Sequence, residues 1–445
     1  MKMENDLGHD PVRSLVLRIA IPSMLAQFVS VLYSIVDRMY IGNIPQVGDL
    51  ALAGAGICGP IVTMIGSVAS LVGMGGSPLM SISMGQKEMQ KAKEILSTGF
   101  VMLLAGAVLL LAFLMPVRRQ MLLFFGASEV TLPYAMDYYT MYLAGTFFAL
   151  LSLGLNQFII AQGFARVGMC SVLLGAVSNI ILDPVFIFLF GMGVGGAAAA
   201  TVLSQLASAL FVLRFLRQKD IPVRLSFRGF RWKLMKKILA IGMTPFLIIA
   251  LDNVMIIVMN MVLQHYGGAG QGDMLITCAT IAQSFMLIVT MPLGGISAGT
   301  QSILGYNYGA GNMDRVKSAQ KYIILLCVLY TSLMFLMARL LGESFVSLFT
   351  RDAGVAENAF RAIRICTLSI VPLGVQYAIV DGFTGMGKVQ ISLPLSFFRK
   401  GVYFAVLFLA PALWGAGAAF YAETVSDLIP PVVSAVVYFV VMKKM

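Results

Sequence analysis

Long apolar runs separated by short polar stretches follow one another along the whole sequence. Each run has about twenty or more residues, the length that crosses the hydrocarbon core of a bilayer as an α-helix. Breaker and charge signals divide the runs into twelve predicted spans, at 15–42, 50–84, 95–115, 134–161, 168–190, 196–216, 236–263, 274–305, 318–341, 360–382, 391–411 and 414–441. The pattern predicts an all-α polytopic membrane protein with twelve transmembrane helices.

Four segments of the first half of the chain recur in the second half, in the same order and at offsets of 219 to 224 residues. The matches are Pro22 and Asp37 with Pro245 and Asn260, 76–92 with 300–316, QFIIAQGFARVG from Gln157 with QYAIVDGFTGMG from Gln376, and 194–199 with 414–419. They predict two homologous six-helix bundles, residues 1–216 and 236–445, joined by a basic linker at 217–235. Because six is even, both bundles insert in one orientation, as a parallel pseudo-twofold repeat about the membrane normal.

The composition fits a membrane protein, with 59% hydrophobic and 11% charged residues and a mean hydropathy of +0.89. Soluble domains carry about 25% charged residues, so a soluble enzyme is excluded. The net charge of +11 would suit a nucleic-acid binder, but the basic residues lie where topology requires them. With both termini in the cytoplasm, 22 Lys and Arg residues, including Lys2 and Arg228, fall inside and six outside. This distribution follows the positive-inside rule and predicts contact with anionic lipid rather than nucleic acid.

Several kinds of chemistry lack the residues they need. The five cysteines are dispersed within apolar runs, which argues against disulfides or a zinc site. Two histidines, His9 and His265, form no metal or nucleophilic cluster, and the chain has no phosphate-binding GxxxxGK[ST] loop. We therefore expect neither an enzyme nor a bound cofactor.

Carboxylates within predicted spans are the candidate functional groups, because buried charge is costly in a membrane. Asp37 lies in the first span, where the alternative to function is pairing with Arg38. Asp183 lies in the fifth span, one helical turn after Asn179 and next to Pro184, where the alternative is a polar packing cluster. Burial favours the neutral form of a carboxyl group, which suits proton uptake, and the same oxygens suit Na⁺. The residue types alone do not separate the two ions.

Other intramembrane polar residues are weaker candidates. Arg399 and Lys400 enter the eleventh span, where snorkelling towards the interface explains them, and Glu423 and Asp427 remain open to either interpretation. The residues that we expect to line a substrate cavity are Gln27, Asp252, Asn260, Gln283 and Gln376.

The sequence resembles the multidrug and toxic compound extrusion (MATE) family over nearly its full length, particularly its DNA-damage-inducible protein F branch. The resemblance rests on Pro22 with Asp37, SNIILDPVFI followed by GGAAAATVLSQ, and QSILGYNYGAG at 301–311. It implies a monomeric exporter of bulky cationic or aromatic drugs in the bacterial plasma membrane, driven by inward H⁺ or Na⁺. The residues that it implies for the cation site are Tyr33, Asp37, Asn156, Asn179, Asp183 and Thr201, of which Asp37, Asn179, Asp183 and Thr201 would hold Na⁺.

The same resemblance implies alternating access, in which cation binding rearranges the helix that contains Pro22. Another branch of the family uses acids of the seventh and tenth spans. Here Asp252 lies near the seventh-span position, but Leu373 and Gln376 occupy the tenth-span region. The resemblance therefore does not imply a cation site in the second half. The rival function is that of a lipid-linked oligosaccharide flippase. Such flippases usually carry cationic residues for pyrophosphate, whereas the clearest buried charges here are acidic.

Overall fold

The computed structural model describes residues 5–226 and 229–444, so Lys2 and Arg228 lie outside the described residues. Helices account for most of this part of the chain. They are α1 Val12–Gly42, α2 Gly48–Gly85, α3 Met89–Phe124, α4 Leu132–Ala144, α5 Thr146–Ala161, α6 Ala165–Pro184, α7 Gly193–Leu216, α8 Trp232–Gly309, α9 Met313–Leu340, α10 Gly342–Val346, α11 Ala353–Cys366, α12 Ile370–Gly385, α13 Val389–Trp414, α14 Tyr421–Ser426 and α15 Ile429–Lys444. We refer to α1–α7 as the N-half and to α8–α15 as the C-half.

Twelve membrane spans emerge from these helices. Within the described ranges, ten helical segments are long and apolar enough to cross a bilayer, and two bent pairs each supply one more. The long helix α8 contributes two spans, Trp232–Gly268 and Gln271–Gly309. Between them Gly268 has a φ of +64°, which a residue with a side chain rarely adopts. The prediction of an all-α protein with twelve transmembrane helices is confirmed.

Three of the spans are not single regular helices. The fourth is bent by 56° between α4 and α5, and the tenth by 47° between α11 and α12. At the first bend, a side chain on Gly145 would collide with Val202 of α7, so close helix packing places the break there. The last span is divided into a 3₁₀ turn (Ala416–Phe420), α14 and α15. The sequence does not predict where these three spans break, because the breaks depend on neighbouring helices.

The two halves meet through glycine contacts that reproduce the repeat. Gly85 lies against the backbone of Tyr306, and Gly309 lies against the backbone of Ile82. Each contact is the other displaced by 224 residues, as a pseudo-twofold axis between the halves requires. A side chain at either glycine would overlap backbone atoms of the opposite half. Both contacts lie at the ends of α2 and α8, on the side that we call the terminal face because the start of α1, the end of α15 and the described part of the central linker lie there.

A short segment before α1 also joins the halves at the terminal face. The Asn5 side chain donates a 2.7 Å hydrogen bond to the Gly163 carbonyl of the N-half. Two residues later, the Leu7 carbonyl accepts a 2.9 Å hydrogen bond from Asn307 of the C-half. Arg315 donates to the Asp10 carbonyl at 2.8 Å. The terminal face is therefore held closed by side-chain bonds as well as by helix packing.

Candidate functional site

The carboxyl groups of Asp37 and Asp183 lie together inside the N-half. Asp37 is on α1 and Asp183 is near the end of α6, and their carboxyl groups are close enough to interact electrostatically. Asp183 is fully buried, with 0% exposure. We call Asp37 and Asp183 the acid pair.

An amide and a hydroxyl complete this site. Asn179 donates to Asp183 Oδ1 at 3.0 Å and reaches Thr201 Oγ1 of α7 at 3.4 Å. Pro184 follows at the end of α6, and a π-helical turn over Val185–Leu189 continues the span. Pro184 has no N–H to donate, which disturbs the regular helical pattern beside the acid. Four residues predicted for the cation site are thus brought together.

Three buried oxygens of the site have no hydrogen-bond partner among the described residues. They are Asp37 Oδ1, Asn179 Oδ1 and Asp183 Oδ2. No lysine or arginine in the described part of the chain forms an ion pair with either acid, although Arg38 acts on Asp37 electrostatically. Oxygen atoms of this kind can bind a proton or a hard monovalent cation.

Tyrosines form one wall of the site. Tyr33 lies one turn before Asp37 on α1, close to both acids. Tyr138 of α4 is also close to Asp37, and its ring stacks on that of Tyr142 with a centroid distance of 6.4 Å. Tyr33 was among the predicted site residues, whereas the α4 tyrosines were missed. The spacing of Tyr134, Tyr138 and Tyr142 by four residues would have placed them on one helix face.

The remaining predicted residues of the N-half lie elsewhere. Asn156 is buried on α5, and its oxygen accepts a 3.1 Å hydrogen bond from Ser171. Ser171 lies eight residues before Asn179 on α6, about 12 Å along the helix axis. Asn156 therefore forms a hydrogen bond with Ser171 and not with the acid pair. Pro22 is buried in the interior of α1, where its missing N–H leaves the Arg18 carbonyl without its regular helical partner.

The C-half contains a second group of charges, which we call the C-half charge cluster. Lys400 donates a hydrogen bond to Asp252, and Arg399 donates to Asp427 at 2.8 Å. Glu423 lies 3.8 Å from the same guanidinium group. The side chains of Arg399 and Lys400 are 12% and 5% exposed. The expectation that they snorkel to the interface is wrong, because carboxylates inside the bundle hold them there.

The other predicted cavity residues have different surroundings. Gln27 lies where α1 meets the C-half, against Gly295. Asn260 and Gln283 are partly exposed on the two arms of α8. Gln376 is buried and donates to the Leu395 carbonyl at 3.4 Å, so it packs inside the C-half.

Comparisons with known proteins agree with this architecture. The MatE family model matches residues 22–185 and 246–409, two stretches that begin 224 residues apart. The multidrug export protein MepA of Staphylococcus aureus (strain NCTC 8325 / PS 47) is 26% identical over 413 residues, covering 91% of this chain and 88% of that protein. MepA of Staphylococcus haemolyticus (strain JCSC1435) is 25% identical over 403 residues, covering 90% and 87%.

Solved structures show the same fold. A multidrug resistance MATE family transporter of the MOP superfamily, in an outward-facing conformation, superposes with a TM-score of 0.92 at 23% identity, covering 100% of this chain and 99% of that one. A MATE crystal structure described as bent gives a TM-score of 0.88 at 23% identity, covering 97% and 96%. Together with the family match over most of both halves, these findings show that the chain belongs to the MatE family of membrane transporters and is not an enzyme.

Proposed function

We propose that this protein is a secondary active multidrug exporter that exchanges H⁺ or Na⁺ for bulky cationic compounds. The observation that carries the proposal is the acid pair, one buried and one half-buried carboxyl group that share no ion pair with a basic side chain. Two adjacent carboxylates repel each other in a low-dielectric environment, and a bound cation removes that repulsion. The site is therefore suited to bind and release a cation as the protein cycles.

Cationic cargo is supported by the charges that face the interior of the two halves. The acid pair has no ion-paired base, and the C-half charge cluster has three carboxyl groups and two basic groups. Clefts that carry one sign of charge concentrate ligands of the opposite sign. The Staphylococcus relatives are named multidrug export proteins, which supports drugs as the cargo.

Alternating access supplies the mechanism. The halves are packed against each other at the terminal face through Gly85 and Gly309, which suits a state whose cleft opens on the opposite side. In the proposed cycle, cation binding at the acid pair bends α1 near Pro22 and lowers the affinity for cargo. Cargo leaves outside, and the cation leaves inside after the halves rock. Such coupling requires the cation to bind the two states with different affinities.

The lipid-linked oligosaccharide flippase is less well supported. A cavity that binds pyrophosphate needs basic groups available to the ligand. Arg399 and Lys400 are instead each held by a carboxylate of the C-half charge cluster. Their pairing favours the exporter.

Efflux from proteoliposomes tests the proposal. The full-length protein is reconstituted, and transport of ethidium is followed by fluorescence while a pH gradient and a Na⁺ gradient are imposed separately. We expect Asp37→Asn and Asp183→Asn to lose gradient-driven transport. The matched control is Asp137→Asn, which changes an exposed acid of the same half and should transport normally. Wild-type rates in Asp37→Asn, or no transport by the wild type under either gradient, would refute the proposal.

The coupling ion is identified by the neutral ligands of the site. Sodium needs several oxygen ligands, whereas a proton needs one carboxyl group. Asn179→Ala and Thr201→Ala should therefore abolish coupling to Na⁺ but reduce coupling to H⁺ only moderately. If these variants lose transport driven by a Na⁺ gradient, the coupling ion is Na⁺. If transport responds to the pH gradient alone, the coupling ion is H⁺.

We further propose that the protein is a monomer of the DNA-damage-inducible protein F branch in the bacterial plasma membrane, with both termini in the cytoplasm. Labelling tests the orientation. A cysteine introduced at the exposed linker residue Lys219 should react with an impermeant maleimide only after the cells are permeabilised. Labelling in intact cells would reverse the assigned orientation.

A further inference from the structure

The C-half charge cluster draws its members from three parts of the fold. Arg399 and Lys400 are on α13, Asp252 is on the first arm of α8, Glu423 is on α14, and Asp427 directly follows α14. All five lie within predicted membrane spans, where an unbalanced buried charge costs free energy. The cluster therefore has to be close to electrically neutral when it is closed off from water.

The fully ionised cluster is not neutral. It has three carboxylates and two basic groups, which leaves one negative charge. Asp252 is held by Lys400, and one oxygen of Asp427 is held by Arg399. Glu423 has the weakest contact, at 3.8 Å from the guanidinium group. One further positive charge would balance the cluster, and we expect it to bind at the carboxylates around Arg399.

A buried oxygen marks where that charge binds. Asp427 is fully buried, with 0% exposure, and its Oδ2 has no hydrogen-bond partner among the described residues. Glu423 and Asp427 are four residues apart and joined by a backbone hydrogen bond of 2.9 Å, so their side chains share one helix face. We propose that Glu423 and Asp427 together bind one proton beside Arg399, which gives the C-half a proton site of its own.

The neighbours of this pair are compatible with a shared proton. The titratable or charged groups that face Glu423 and Asp427 are Arg399, Lys400, Tyr403, Asp252, Cys366 and Tyr377. The two cations balance two of the three carboxylates, and the third acid is the group left to take the proton. The tyrosine and cysteine side chains are ordinary weak acids that stay neutral.

The proton can reach the site from water. The Asp252 side chain is 50% exposed, and that of Glu423 is 23% exposed. A carboxylate exposed to lipid in mid-span would cost several kcal/mol, so the exposed edge of Asp252 faces the aqueous space between the halves. The site differs from the acids of the seventh and tenth spans that another family branch uses, because its proton-binding residues are on the last span.

Infrared difference spectroscopy tests the proton site without any transport. The purified full-length protein in lipid nanodiscs is stepped between acidic and alkaline pH, and the protonated-carboxyl absorption is measured. The starting protein is the double variant D37N/D183N, which removes the acid pair. Adding Glu423→Gln or Asp427→Asn should remove the absorption of one buried carboxyl group. The matched control is Glu343→Gln, an exposed acid of the same half, which should leave the buried band unchanged.

The spectra of the variants distinguish a proton site from its absence. Spectra of E423Q and D427N that match E343Q would overturn the proton site, and so would a band that Na⁺ displaces at constant pH. If D427N fails to fold, E423Q with its partly exposed side chain carries the test, and thermal unfolding reports which variants are folded. A failure here leaves the acid pair and its ethidium assay untouched.

A second readout rests on the proposed function. If the exporter couples to protons, the wild type moves one proton through each half for each cargo. The proton-to-cargo ratio, measured from the pH gradient that just balances a cargo gradient, should fall about twofold in E423Q. An unchanged ratio together with normal ethidium transport would contradict the proton site while leaving the exporter intact.

Discussion

Asp37 in the N-half and Asn260 in the C-half occupy equivalent positions of the repeat, fifteen residues after Pro22 and Pro245. The two halves also carry different buried charges. Beside Asp37 lies a second acid and no ion-paired base. In the C-half, Arg399 and Lys400 are held by carboxylates. The same scaffold thus holds a site without an ion-paired base in one half, and in the other half a site whose two bases balance two of its three carboxylates.

The two halves differ in whether a bound base or a removable cation balances the carboxylates. A tethered base cannot leave, so the ion pairs of the C-half stay in place whichever side the cleft opens to. A cation bound at the acid pair can leave, so its binding can differ between the two states. The comparison predicts that adding a base to the N-half or removing one from the C-half has very different consequences.

The largest expected effect follows from giving the N-half a tethered cation. In Asn179→Lys, an ammonium group lies one turn from Asp183 and can replace the coupling ion. Gradient-driven ethidium efflux should fall by roughly tenfold or more, because the site no longer distinguishes the two states. Ethidium binding, measured by fluorescence polarisation, should remain. Asn253→Lys, on the first arm of α8, is the control for an added base.

Efflux that survives Asn179→Lys would contradict the role of the acid pair. The outcome is informative even without transport, because a folded variant that neither binds nor moves ethidium would place this site in cargo binding instead.

Removing a base from the C-half should affect stability. Arg399→Met leaves Asp427 buried without its partner, a change that costs about 3–5 kcal/mol in buried ion pairs. The double variant R399M/D427L removes both charges and should regain most of that loss. The free energy of unfolding is measured by titration with sodium dodecyl sulfate. A double variant as unstable as Arg399→Met would show that Arg399 acts through packing rather than through its charge.

Removing an acid from the N-half should affect stability much less. In Asp183→Asn the amide oxygen can still accept from Asn179, and repulsion from Asp37 disappears. We expect the free energy of unfolding to change by about 1 kcal/mol or less. The same titration measures it. A loss as large as that of Arg399→Met would mean that the two sites are energetically alike and would remove the basis of the comparison.

Much of the fold follows from the sequence. Apolar run length predicts the twelve spans, and the repeat of Gly85 at Gly309 predicts the symmetry of the contact between the halves. The bend at Gly145 could not be predicted, because it depends on Val202 of another helix. Breaks of this kind arise from packing between distant segments, which periodicity along one segment does not contain.

The candidate site, like the fold, could be predicted only in part from the sequence. Asp37, Asp183 and Asn179 stand out as polar residues in apolar runs, and the structure brings them together. Arg399 stands out equally, but a lone base is compatible with snorkelling until its partner is known. That partner, Asp427, is 28 residues away on another span. Sequence reasoning therefore identifies costly groups better than it identifies what compensates them.

A last comparison of the two halves concerns the terminal face, where Lys91 and Arg315 occupy equivalent repeat positions. Arg315 donates to the carbonyls of Asp10 and Leu7 and to Asn307, and so joins the segment before α1 to the C-half. Lys91 pairs with Glu88 at 2.6 Å on an exposed surface. Because hydrogen bonds to charged groups contribute about 1.5–3 kcal/mol and surface ion pairs about 0–1 kcal/mol, Arg315→Ala should destabilise the protein and Lys91→Ala should not. The titration used for Arg399 measures both, and equal losses would show that the segment before α1 contributes nothing to holding the halves together.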